Sequence, residues 1–107
     1  MATLYVTEFR GIGQEPALRT WGNGPALMQF AQQPPVAEQT VAIGATSAQS
    51  NAFNSATNMV RISTDAICSV LFGNNPTATA GSARMAAGQT EYFAVGPGMK
   101  VAVITNT

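Results

Sequence analysis

The sequence predicts an all-β fold: a small antiparallel β-sandwich, jelly-roll-like, preceded by an extended N-terminal arm. Three observations lead there. From Val60 onward, short runs rich in β-branched and aromatic residues alternate with glycine, asparagine and proline turns, the punctuation of a sandwich and not of a helical or doubly wound fold. Gly96-Pro97-Gly98 has the chemistry of a type II turn, in which proline pre-sets one central dihedral and glycine accepts the positive second one. Ahead of Gln39, breaks at Gly11, Gly13, Pro16, Gly22-Asn23-Gly24-Pro25 and Pro34-Pro35 keep every element short.

Taken in order, Leu4 to Phe9 reads as a strand with Leu4, Val6 and Glu8 on one side and Tyr5, Thr7 and Phe9 on the other. Pro25 to Gln32 suits either an extended segment or a short helical turn, because proline fits a first helical position. The frequency of breaks makes residues 1–39 an arm and residues 40–107 the body. In the body, Thr40 to Ile43 is a short strand. Serine, threonine and asparagine from Gly44 to Asn58 compete for their own backbone, so that tract is a loop or broken strand anchored by Phe53. Met59 to Ser63 alternates Val60 and Ile62 against Arg61 and Ser63; Thr64-Asp65 turns the chain. Ile67 to Phe72 then places Cys68, Val70 and Phe72 opposite Ile67, Ser69 and Leu71. Thr77 to Gly88 is a loop with room for a helical turn at Arg84 to Ala87. Thr90 to Val95 and Met99 to Thr105 form a hairpin about Gly96-Pro97-Gly98. Both its faces are apolar, which calls for cover on each side.

Composition narrows the function. Only 9% of the 107 residues are charged, five basic against five acidic, so much of the exterior is uncharged polar or covered by a partner. The scattered cations form no basic stripe, which argues against nucleic acid and anionic membranes. The N-terminus lacks a basic region followed by a long apolar stretch, so a cytoplasmic origin is expected. One cysteine, Cys68, rules out an internal disulfide and reads as a small buried hydrophobe. With no histidine and five dispersed carboxylates, no metal, cofactor or catalytic residue is expected, and the chain does not read as an enzyme. Gly11-Ile12-Gly13 lacks the third glycine and the βαβ setting of a phosphate-binding turn, and is a flexible joint. Arg61 and Asp65 are placed for an exposed ion pair across their turn.

Tyr5, Phe9, Trp21 and Phe30 sit in the segment least able to order itself. They are candidate anchors on a neighbouring subunit, as aromatic residues are at interface centres. Tyr92 and Ile104, on the hairpin, are the other candidate partner contacts.

The stretches Val60 to Cys68, Phe72-Gly73-Asn74-Asn75-Pro76-Thr77-Ala78-Thr79 and Arg84 to Phe93 resemble small proteins encoded among the head genes of tailed bacteriophages. The likeness covers about the last 50 residues and is closest to capsid decoration, or cement, proteins. It implies a structural virion protein on the capsid exterior, assembled in the host cytoplasm, that bridges major capsid protein subunits and associates with its own copies. Two alternatives accompany it. One is a β-sandwich module recognising carbohydrate or a host receptor, with Tyr5, Trp21 and Tyr92 stacking on sugars; the other is a head-tail or tail component.

Overall fold

The computed structural model describes residues 2–19, 25–31 and 33–107, with side chains described outside the two strands that run from residue 12 to residue 31. Among the described residues there are ten strands and no helix: β1 (Thr3–Phe9), β2 (Ile12–Arg19), β3 (Pro25–Ala31), β4 (Ala37–Ala42), β5 (Ala48–Gln49), β6 (Met59–Thr64), β7 (Cys68–Gly73), β8 (Ala83–Met85), β9 (Thr90–Ala94) and β10 (Lys100–Thr105). They form two antiparallel four-stranded sheets, ordered β4-β1-β6-β9 and β5-β10-β7-β8, and a two-stranded ribbon, β2-β3. The fold is a β-sandwich.

Its topology is that of a jelly roll. With the ribbon set aside, β4 to β10 pass between the sheets in jelly-roll order. The strand that would normally close the roll after β10 is instead β1, inserted between β4 and β6. The roll is circularly permuted, and the chain ends lie together. Ile43 N–H donates to the Ala2 carbonyl at 3.0 Å, and Thr105 N–H donates to the neighbouring Gly44 carbonyl, also at 3.0 Å.

Alternation builds the core. Leu4, Val6, Val41, Val60 and Ile62 from the first sheet meet Cys68, Val70, Val101 and Val103 from the second, with Phe53 and Met85 packed among them. Phe72 touches both Phe53 and Phe93, at ring-centroid distances of 6.4 and 4.9 Å. Each such aliphatic side chain removed from water contributes about 1.5–3 kcal/mol.

Several expectations are corrected. Residues 1–39 are not an arm throughout. β1 is an interior strand paired on both edges, with Leu4 and Val6 fully buried, so the body starts at Thr3 and resumes at Ala37. Only the ribbon stands apart. Phe9, expected to reach a partner, is 3% exposed and belongs to this chain's own interior. Pro25–Ala31 is a strand, not a helical turn, because pairing with β2 satisfies its backbone. Ala83–Met85 is likewise a strand, closing the edge of the second sheet against β7.

The Gly96-Pro97-Gly98 turn forms as read. Met99 N–H donates to the Gly96 carbonyl at 3.3 Å, and Gly98 has φ +79°. It does not make a hairpin, however: β9 pairs with β6 and β10 with β7, so the turn arches from one sheet to the other. Apolar residues on both sides of β10 fit this position, since Val101 and Val103 face the core while Ala102 is covered from outside.

The ribbon leaves β1 through Gly11, whose φ of +139° is a conformation that favours glycine, and where a Cβ would lie 3.2 Å from Asn58 Oδ1. β2 and β3 pack chiefly on each other. The molecule accordingly measures 52 × 25 × 22 Å, and its radius of gyration of 15.5 Å exceeds the roughly 13 Å of a compact domain of this length.

Candidate binding face

The outer faces of the two sheets differ. The second sheet is partly roofed by its own chain, with Leu71 on its outer face left 42% exposed. The loop between β7 and β8 folds back across it, pinned where Gln49 Nε2 donates to Asn75 Oδ1 (2.9 Å) and to the Pro76 carbonyl (2.7 Å). Ala78 N–H donates to Ser47 Oγ (2.9 Å), and Asn106 Nδ2 donates to Ser69 Oγ (2.6 Å) and the Ala80 carbonyl (3.2 Å). Beneath this roof Ser69 and Ala102 are fully buried although they point away from the core. Ile104, one of the predicted contacts, is half-buried on this face.

The first sheet is bare. Register sets Thr40, Tyr5, Ser63 and Thr90 side by side in one row of its outer face and Glu38, Thr7, Arg61 and Tyr92 in the next. Thr90 Oγ1 donates to Ser63 Oγ at 3.1 Å across two of the strands. Tyr5 and Tyr92 are 48% and 55% exposed. Folding thus brings two of the predicted contacts, Tyr5 and Tyr92, onto one surface. Trp21 lies outside the described residues, and Phe30 falls in β3, outside the residues whose side chains are described.

Two recesses mark this surface. One, of about 490 Å³, is lined by Tyr5, Thr7, Glu38, Thr40, Arg61 and Ser63. The other, of about 410 Å³, lies between Tyr92, Met59, Phe93 and Asn58 at the root of the ribbon, beside Arg10 and Gly11. Asp65 is turned elsewhere: its Oδ1 accepts the Thr3 N–H at 2.7 Å.

Beneath the face, Glu8 is 2% exposed. Its Oε1 accepts from Thr57 Oγ1 (2.7 Å) and Asn54 N–H (2.8 Å), and its Oε2 from Gln39 Nε2 (3.2 Å). A carboxylate in the core is stable only with such donors around it. Glu8 therefore fastens the 51–58 loop, and with it the floor from which the ribbon departs. Its place beside Leu4 and Val6 was readable from alternation; its partners were not.

Cys68 is fully buried, and burial pushes its thiol above the ordinary value while the Thr64 hydroxyl at 3.6 Å pulls the other way. Among the described residues, no three of His, Cys, Asp and Glu gather as a metal site. The class these features define is a small permuted jelly roll with one partly roofed face, one bare face and a projecting ribbon. No protein-family model, no curated protein and no solved structure matches the chain.

Proposed function

We propose that this chain is a structural virion protein that decorates the outside of a phage capsid and stabilises it by bridging major capsid protein subunits. The observation that carries this reading is the ribbon. A self-paired strand pair of eight and seven residues, reaching about 26 Å at about 3.3 Å per residue, projects from the sandwich, a form suited to reaching a neighbouring subunit. Low charge and repetition on a symmetric shell support the same role, because each further contact of a tethered protein forms at high effective concentration.

The test is a chain in which residues 12–31 are replaced by a short glycine-serine link, added to heads assembled from the major capsid protein of the same genome. This variant is expected to melt like the intact protein yet lose its place on the heads and its protection of them against heat. Unchanged occupancy and unchanged head melting would refute the bridging role. Removal of residues 1–11 is not an equivalent test. It deletes the interior strand with Leu4, Val6 and Phe9, about 5–9 kcal/mol of burial, comparable with the whole stability of a domain, and that chain is expected not to fold.

A further inference from the structure

We propose that the recess on the bare sheet is a binding site for a neutral oligosaccharide. It rests on the sheet and the lattice role rests on the ribbon, so either can fail alone.

Shape comes first. The long side chains of Tyr5, Glu38 and Arg61 alternate with the short ones of Thr7, Thr40 and Ser63 over two adjacent rows, and together they line a hollow of about 490 Å³. That is within the roughly 300–1,000 Å³ of small-ligand sites. Thr40 and Ser63 flank Tyr5 on the two neighbouring strands, about 4.8 Å away on each side, so short hydroxyls lie at the base of the ring.

Chemistry narrows the ligand. Tyr5 lies in an interior strand yet keeps nearly half its surface exposed. That exposed aromatic area, with the Thr40 and Ser63 hydroxyls on the adjacent strands, suits a sugar, which presents both C–H faces and hydroxyls. Glu38 and Arg61 flank Thr7 from the two neighbouring strands, about 10 Å apart across two strand spacings. One carboxylate and one guanidinium sum to zero, and charge complementarity then decides the occupant. For a polyanion the attraction of Arg61 is offset by Glu38, and for a polycation the attraction of Glu38 is offset by Arg61, so neither is favoured. An uncharged polyol satisfies both, donating hydroxyl protons to the carboxylate and accepting from the guanidinium. A second copy fits worse, since two hollow faces laid together enclose a doubled void, whereas interfaces pack like protein interiors.

The intact protein is to be screened on an array of neutral hexose oligosaccharides, with uronic-acid and glucosamine oligosaccharides as charged controls, and the best neutral ligand titrated by calorimetry. Neutral glycans are expected to bind. Tyr5→Ala and Arg61→Ala should each weaken binding about tenfold without shifting the melting temperature, and Lys100→Ala on the other sheet should leave it unchanged. The proposal is overturned if no neutral glycan is retained, if only charged glycans are, or if Tyr5→Ala binds as well as the parent. It is also overturned if sedimentation shows a dimer that Tyr5→Ala dissolves, for the face would then belong to a second copy.

Discussion

Glu8→Ala tests the buried carboxylate directly. Its loss strands the Thr57 hydroxyl, on a residue 1% exposed, at about 1–3 kcal/mol for an unsatisfied buried group. Asn54 N–H sits on an exposed residue where water replaces the carboxylate, and Gln39 Nε2 retains the Asn51 carbonyl at 3.3 Å, so each of these adds only about 0.5 kcal/mol. The sum is about 3 kcal/mol. For a domain of this size that lowers the melting temperature by about 12–24 °C. Glu8→Gln separates charge from shape. Its carbonyl still accepts from Thr57 and Asn54, but its new amide faces the Gln39 amide, whose oxygen is already occupied by Asn51 N–H at 2.8 Å. A smaller loss of about 1–2 kcal/mol follows. Urea and thermal unfolding of the three proteins, with amide exchange at Asn54, measure both effects. An alanine variant within about 1 kcal/mol of the parent would show that the network does not hold the loop.

Two further outcomes follow from the geometry. Gly98→Ala meets no neighbour within 4 Å but must adopt φ +79°, a backbone cost of about 1–2 kcal/mol. Gly44→Ala, equally uncrowded and without a positive φ, should leave the urea midpoint unchanged or slightly higher, and equal effects at the two sites would contradict the arch turn. The Cys68 thiol is raised from 9.0 by burial, so folding favours its protonated form. That contribution is complete below the unfolded thiol's pKa and is lost as pH climbs through the higher folded value. Urea midpoints taken from neutral pH into this alkaline range should fall more steeply for the parent than for Cys68→Ala. Parallel curves would show that the thiol is not desolvated.

Permutation makes the ribbon a paired excursion and not a single tail. In an unpermuted jelly roll the connection between β1 and β4 would be absent, and the chain would begin and end at that edge of the sandwich. Joining the two there makes the projecting segment a closed loop whose strands pair with each other. A single tail of the same residues would meet a partner with its full conformational entropy still to lose.

Alternation and turn chemistry, both local properties, by themselves determined the β class of this protein and much of its strand content. Val60 and Ile62 against Arg61 and Ser63, Cys68 and Val70 against Ser69 and Leu71, the Phe53 anchor and the turn at Pro97 are all found where the residues put them. Only the tertiary structure decided which strands pair. β1 joined the body because Leu4 and Val6 complete a core made by residues far along the chain, and β9 parted from β10 because each had a better neighbour in a different sheet. The bare face was hidden for the same reason. Tyr5, Glu38, Arg61 and Tyr92 come from four separate strands, and a side-chain period of two tells which side of its own strand each occupies but not which strand will lie beside it.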